Sequence, residues 1–537
     1  MGLIQKIEQE LNHQSYCAVW IDDFNETLFK KVATLFPNVW IDWLFVSSSK
    51  NLNNSLLQDI RNPKGLSYFP LSDKQRIWLF SGSLKNLSEY WGGKKLLYLS
   101  KNDSADLMPY IQQNANGISE ITVPVDYKPL KEWFRQPEKI NTPKTVAIIG
   151  GGIAAAATAF ACAVRGLQVF VFEENTVASA GSGNRQGLLY AKISPYDTIQ
   201  THLLLQSYGY SRQLLELYLD KEFWQSCGVV HLDFNEQETK RNQLLAQQKC
   251  GLYEYLSFDE LSKKAGIDFN IGGLFWKHGC WINPPALVKQ LFNHQNITVF
   301  EHSKVIDFNY VNNEWQLNIN NQKTFNAQAI VFCTGANKNL MEKLGLTIFQ
   351  IRGQTDNVTA NSFSGSLNIA LSGQSYISPA WQNAHCFGAT FSPNNADNQI
   401  SAQDSLENQH NLIKLHQQLG ETFHFQAALK PHCAIRADAY DHLPIVGRVG
   451  NHLKVKEIYA PLAKDKNYHF KNPPKCLYLP NVFVNVAHSS RGLATAPLCG
   501  EAVACEMLGL PNPLGETLRQ ALSPNRVIIR DLVHNSG

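Results

Sequence analysis

The 537 residues contain no C-x-x-C pair and no cysteine, histidine or carboxylate spacing of a metal site, although eleven cysteines are present. An odd total, with Cys162 and Cys333 inside apolar runs, reads as buried thiols in a reducing compartment, and no metal is expected. An excess of one charge is also missing. Forty-eight Lys and Arg against 45 Asp and Glu leave a formal charge of +3, so composition carries no nucleic-acid signal and a polyanion would have to bind a local patch. No secretory signal is evident: MGLIQKIEQELNHQ has an amphipathic helical pattern, and a cytoplasmic location is expected. Residues 1–140 hold no glycine-rich phosphate or adenosyl loop after any strand-like run, since the single glycine pair there, Gly92-Gly93, precedes one. What remains is ordinary globular composition, 44% hydrophobic and 17% charged, on a chain long enough for two or three domains.

Against these absences stands TVAIIGGGIAAAATAFACAVRGLQVFVFE at 145–173. It reads as strand, glycine turn, helix, second strand and terminal acid. Gly150-x-Gly152-x-x-Ala155 supplies a tight turn, bare backbone under a pyrophosphate and a small residue for close helix packing. The phosphate would sit at the helix N-terminus, where free N–H groups and the dipole favour an anion. Glu173 ends the second strand, placed to accept hydrogen bonds from an unphosphorylated ribose. The uncharged run 146–164 is long enough for a bilayer, but its glycine cluster and the immediate second strand fit a βαβ unit better.

Further along, residues 1–140 alternate helical patterns with apolar runs at 17–21, 41–46, 77–80, 96–99 and 121–123, an α/β layer pattern. A polar stretch twice broken by proline, 135–143, reads as a linker. The run 329–336, AIVFCTGA, suits a buried strand returning to the nucleotide sheet. Alternating strands dominate from 350 to 391, an antiparallel pattern, and 482–508 is again strand, Ser-Arg-Gly turn and helix.

In this order the pieces carry IIGGGIA at 148–154, SGNRQG at 182–187, a W-x-x-P opening at Trp281, RGQ at 352–354, Y-x-x-P at 376–379 with GATF at 388–391, DHLPIVG at 441–447 and SRGLATAPL at 490–498. Together they resemble the FAD-dependent half of the bifunctional tRNA 5-methylaminomethyl-2-thiouridine biosynthesis proteins, within the D-amino-acid and glycine oxidase superfamily. The resemblance covers roughly 143–537. It implies FAD and an α/β and α+β architecture: a Rossmann-like FAD-binding domain (about 143–225, 281–345 and 436–537) with an inserted antiparallel substrate-binding sheet (about 226–280 and 346–435). It also implies removal of the carboxymethyl group from 5-carboxymethylaminomethyl-(2-thio)uridine at the tRNA wobble position, with tRNA as partner and no membrane. In that family a methyltransferase domain comes first, and the junction carries a Trp-Phe like Trp133-Phe134 here. The family's E-x-G-x-G-x-G loop is absent from residues 1–140. Methylation is therefore not expected of this small α/β domain, which has a degenerate methyltransferase remnant as one reading, and a separate methyltransferase is the expected partner.

The resemblance also assigns residues. Gly150, Gly152 and Ala155 lie under the pyrophosphate, Glu173 on the adenosine ribose, and Thr334 and Gly335 near the pyrophosphate. Val305 meets adenine through its backbone. Asn184, Arg185, Gln186 and Gly187 line the isoalloxazine edge, a surface turn being the competing reading of that cluster. Arg491, Gly492 and Leu493 present backbone N–H groups to the flavin pyrimidine from a helix start. Oxidation of R–CH2–NH–CH2–COO⁻ needs a neutral amine, its carbon near flavin N5 and its carboxylate fixed. Arg436, eight residues before Pro444, stands where the superfamily's carboxylate-binding arginine stands and can grip with two parallel bonds. Tyr376 adds a hydroxyl. Arg352 is the alternative clamp or a tie between strands, and His442 the alternative base or a turn former.

Six lysines between 454 and 475, interleaved with Tyr459, Tyr468, His469 and Phe470, suit a phosphate backbone and unstacked bases, or else form a solvated loop. Two other functions compete. An oxidase of free glycine, sarcosine or a D-amino acid would need a closed pocket rather than a mouth flanked by lysines. A non-catalytic flavin-binding scaffold would not need Arg436.

Overall fold

The computed structural model describes residues 3–11, 16–21, 25–46, 54–80, 83–98, 108–113, 118–137, 141–320, 323–425 and 429–534. Its N-terminal part is a seven-stranded mixed sheet in the order Ser67–Ser72, Gln75–Phe80, Trp40–Val46, Tyr16–Ile21, Lys95–Tyr98, Ser119–Thr122, Ile111–Gln113. The four middle strands are parallel and the edges antiparallel. Ser67–Ser72 and Ile111–Gln113 are absent from the sequence reading; Pro70 and the polar Ile111–Gln113 run obscure them, as both are edge strands, where proline and polar residues are tolerated. Leu99 and residues 138–140 of the expected linker lie outside the described residues.

The second sheet has six strands, ordered Ile297–Phe300, Gln168–Phe172, Thr145–Ile149, Ala329–Phe332, Tyr478–Val486, Ile445–Gly450, all parallel except the last. Its central strands are apolar on both faces because both are covered, one by helices Ile153–Ala163 and Gly492–Leu508 and the other by a three-stranded antiparallel sheet, Val305–Val311, Glu314–Ile319 and Lys323–Ala327. Helix Ile153–Ala163 is almost entirely small and buried, which lets helix Gly492–Leu508 cross it closely: a Cβ at Gly500 would stand 2.8 Å from Thr158 N. A nine-stranded sheet between these segments includes Phe349–Thr359, Ala384–Gly388, Tyr376–Ile377 and Leu429–Asp438. It is antiparallel except where Val229–Leu232 runs parallel to Ala370–Ser372.

A buried ion cluster joins the first sheet to the second unit. Glu501, fully buried, receives Arg76 Nε at 2.9 Å, Arg165 Nη2 at 2.6 Å and the Tyr68 hydroxyl at 2.6 Å. The Trp40 ring lies under both guanidinium groups, 4.5 Å from Arg76 and 3.9 Å from Arg165. Buried charge persists only when it is paired and hydrogen-bonded this fully. Burial alone would raise the Glu501 carboxyl, but Arg165 and Arg76 outweigh it and hold it well below the usual carboxylate range. No helix among the described residues is long and apolar enough to cross a membrane, and no disulfide joins cysteines among the described residues.

Candidate active site

A cavity of about 750 Å³ opens between the six-stranded and nine-stranded sheets, within the range of small-molecule and cofactor sites. One wall is the strand ends and turns of the six-stranded sheet. Gly150 has φ +118° and a Cβ there would strike Cys333 O, so the turn demands glycine. Its N–H donates to Phe172 O at 2.8 Å, which ties the turn to the second strand. Helix Ile153–Ala163 begins at Gly152 with no side chain capping its own first turn, and Ser182 Oγ accepts the Ile153 N–H at 3.0 Å. Glu173 lines the cavity with its Oε1 accepting Asn175 N at 2.8 Å, and burial pushes its carboxyl up. Thr334 also lines it, its buried Oγ1 without a hydrogen-bond partner among the described residues. Bare backbone, a helix start whose N-cap is a glycine, a carboxylate on the neighbouring strand and an orphaned hydroxyl fit a dinucleotide such as FAD.

Of the expected cofactor residues, Gly150, Gly152, Glu173, Asn184, Gly187, Val305, Thr334, Gly335, Gly492 and Leu493 line this cavity. Four others differ. Ala155 is fully buried in the helix interior, where its small size serves packing rather than the pyrophosphate. Arg185 and Gln186 turn away from the cavity: Arg185 Nη2 donates to Trp381 O at 2.7 Å and Gln186 Nε2 to Pro379 O at 3.0 Å, so both hold the connection between Tyr376–Ile377 and Ala384–Gly388 of the nine-stranded sheet. The Arg491 N–H is spent on His488 O at 2.9 Å, which leaves the helix start at Gly492 and Leu493 as the donors facing the cavity.

The opposite wall carries Arg436 and Tyr376. Arg436 is half-buried, makes one long bond from Nη2 to Thr390 O at 3.5 Å, and has no carboxylate within ion-pair distance among the described residues. Burial pushes its guanidinium below the ordinary value. The Tyr376 hydroxyl donates to Gln186 O at 3.2 Å, and burial keeps it protonated. Of the two readings of Arg352, the contacts match the tie: it is outside the cavity, ion-paired with Asp404, with Nη2 on Gln399 O at 2.6 Å. Strand alternation is the reason. Ile351 stands opposite Arg436 in the antiparallel register, so Arg352, one residue on, points to the other face. His442 is an exposed turn residue at φ +58°, bonded through Nδ1 to Asp438 Oδ2 at 2.8 Å.

The lysine-rich stretch does not flank the cavity mouth. The antiparallel pair runs from Ile445 opposite Val486, at the cavity end, to Gly450 opposite Tyr478. Residues 451–477, none of which lines the cavity, leave from the opposite end of these strands, about 17 Å away over residues 445–450 at about 3.3 Å per residue. Of its aromatics, Tyr459 is core, packed on Trp133 at 5.5 Å and on Phe470 at 5.6 Å, while Tyr468 is exposed. One residue at the cavity escaped the sequence reading. His488 sits between Ala487 and Ser489, both at positive φ, with Nδ1 on Thr495 Oγ1 at 2.9 Å and Nε2 on Asn485 Oδ1 at 2.8 Å. Burial pushes its imidazole down to about 3, so it is neutral and pins the strand-to-helix turn.

Residues 145–506 match the family described as FAD dependent oxidoreductase. The chain is 34% identical over 423 residues to the tRNA 5-methylaminomethyl-2-thiouridine biosynthesis bifunctional protein MnmC of Chromobacterium violaceum, covering 77% of this chain and 64% of that one. It is 33% identical over 417 residues to the corresponding protein of Pseudomonas savastanoi pv. phaseolicola, covering 76% and 62%. The chain thus spans just under two thirds of the length of these relatives. Among solved structures, iminodiacetate oxidase (IdaA) from Chelativorans sp. BNC1 superposes with a TM-score of 0.56 at 17% identity, over 71% of this chain and 98% of that one. Glycine oxidase from Geobacillus kaustophilus gives 0.53 at 21% identity, over 68% and 95%. These two likenesses concern the fold.

Proposed function

The chain belongs to the FAD dependent oxidoreductase family, and from that premise we propose that it removes the carboxymethyl group from 5-carboxymethylaminomethyl-(2-thio)uridine at the tRNA wobble position, giving the aminomethyl nucleoside and glyoxylate. FAD is the cofactor, and when bound it supplies the two-electron acceptor beside the substrate carbon. The observation that carries the reading is Arg436: a half-buried guanidinium without an acid partner among the described residues, in the same cavity as the dinucleotide cradle. Its planar fork would take the substrate carboxylate with two parallel bonds. Tyr376 would flank the same group, its hydroxyl held in orientation by Gln186 O. Fixing the carboxylate orients the adjacent methylene toward the cradle side, and the surrounding wall limits water until the C=N bond has formed. Hydrolysis then releases glyoxylate. The wobble base must leave its stack to enter. The similarity to the tRNA-modifying relatives supports the nucleic-acid substrate.

We read residues 1–140 as a structural part joined through Glu501 rather than a methyltransferase, so a separate enzyme would methylate the product. The experiment is anaerobic mixing of the purified protein with tRNA carrying the carboxymethylaminomethyl group, followed by nucleoside mass spectrometry with and without adenosylmethionine. Bleaching of the flavin and appearance of the aminomethyl nucleoside in both samples is expected. Appearance of the methylaminomethyl nucleoside would overturn the reading of residues 1–140, and faster turnover of a free amino acid than of tRNA would overturn the substrate.

A further inference from the structure

A hydrogen-bonded file of side chains runs from the cavity wall to the surface through groups that the chemistry above leaves unused. Tyr190 follows the strand Gly187–Leu189, and both Tyr190 and Ser372 line the cavity. The Tyr190 hydroxyl is 2.7 Å from Ser372 Oγ, Ser372 Oγ is 3.4 Å from His231 Nδ1, and His231 Nε2 is 2.9 Å from Glu238 Oε2. Glu238 reaches the surface beside Lys192, whose Nζ is 3.0 Å away and whose side chain is 41% exposed, and beside Arg241. The inner end adjoins the proposed substrate grip, because Ser372 pairs across the strands with Tyr376. The middle is rigid: the His231 side chain is 1% exposed, stacked 6.4 Å from the Tyr190 ring, and Asn242 Nδ2 donates to its carbonyl at 3.0 Å.

We infer that Tyr190, Ser372, His231 and Glu238 form a relay that carries the proton of the substrate amine from the cavity to solvent, an inference that rests on the amine-oxidation reading. A secondary amine near neutral pH arrives as R–NH2⁺–CH2–COO⁻. Its oxidation to R–NH⁺=CH–COO⁻ takes a hydride from carbon, bound for the flavin, and one proton from nitrogen; the relay handles only the proton. The N–H bond breaks as an O–H bond forms on Tyr190, whose own proton passes to Ser372 Oγ. The Ser372 proton passes to His231 Nδ1, and the Nε2 proton leaves to Glu238 and then to water. Each intermediate group ends with as many protons as it began.

The charges facing His231 are Glu238, Arg241 and Lys192, with Tyr190 on the cavity side and Arg491 beyond it. Burial lowers the His231 imidazole. For Glu238, burial would raise the carboxyl, but bonds from His231 and Lys192 and the charge of Arg241 outweigh it and hold it well below the usual range. Neither group stores the proton, as a conduit requires.

Two measurements test the relay. The first is the pH profile of anaerobic flavin reduction, with the wobble-modified tRNA and with free sarcosine as probes, in the full-length protein and its Tyr190→Phe, Ser372→Ala and His231→Gln variants. Tyr190→Phe should slow reduction on the order of 100-fold near pH 7 and recover as pH rises through the ionisation of the amine itself. Profiles that run parallel to wild type would overturn the relay. Reduction of the unmodified chain by sarcosine but not by tRNA would sink the tRNA reading instead, with the relay still judged by the sarcosine profile. The second is ¹⁵N NMR of histidine-labelled flavin-free protein, His231 being assigned by its loss in His231→Gln. A neutral ring protonated at Nε2 from pH 6 to 9 is expected; protonation at Nδ1 overturns the relay whatever the turnover.

Discussion

The guanidinium of Arg436 lies over the bare α-carbon of Gly353 on the neighbouring strand, where any Cβ would overlap Nη2. Register explains the pairing: Gly353 is two residues beyond Ile351, which stands opposite Arg436, so both share the cavity face. Gly353→Ala should push the guanidinium aside and cost about 1–3 kcal/mol through overpacking. Arg436→Lys keeps the charge but loses the fork. Both variants should remain yellow yet reduce flavin more slowly with substrate, measured by rapid mixing. Normal bleaching in Arg436→Lys would move the carboxylate site elsewhere.

Gly152→Val tests the cradle. A Cβ there would stand 3.2 Å from Ser182 Oγ, the group that accepts the Ile153 N–H, and the remaining valine carbons would occupy the phosphate position. The variant should purify folded but colourless. Stoichiometric flavin by absorbance in that variant would show that the dinucleotide lies elsewhere.

Glu501 makes stability depend on acid. Its folded carboxyl is held below the unfolded value, so its contribution is complete above the unfolded carboxylate range, about 4.3, and declines as pH falls below it, where only the unfolded chain takes up the proton. Glu501→Gln strands two buried arginines and should cost about 3–5 kcal/mol at pH 7 in urea titrations. The difference from wild type should shrink toward pH 4. A constant difference would mean that folding does not shift the carboxyl from its unfolded value.

Neutralising Lys464, Lys466 and Lys471 together changes exposed groups in the segment that leaves the six-stranded sheet at the strand end away from the cavity. Flavin reduction by bound substrate should be unchanged, while tRNA binding weakens and its salt dependence flattens, the mark of lost phosphate contacts. Unaltered salt dependence in tRNA titrations would return the stretch to a solvated loop.

The dinucleotide turn is legible in the sequence because its demands are local. Positive φ at Gly150, bare backbone at Gly152, small residues along the helix and an acid at the end of the next strand all fall within 29 consecutive residues. Strand runs such as Thr145–Ile149 and Ala329–Phe332 are legible for the same reason, since burial on both faces leaves a continuous apolar run. The separation of Arg352 from Arg436 is not, because it depends on the pairing of strands some 80 residues apart, where a shift of one residue exchanges the two faces. The place of the lysine stretch depends likewise on an antiparallel edge strand, which sends it to the strand end away from the cavity. Tyr190 and Ser372 are 182 positions apart, and Arg76 and Glu501 are 425 apart. Contacts of that range are decided when whole sheets and helices pack, and neither local propensity nor short motifs encode which distant polar groups then meet in the low-dielectric interior.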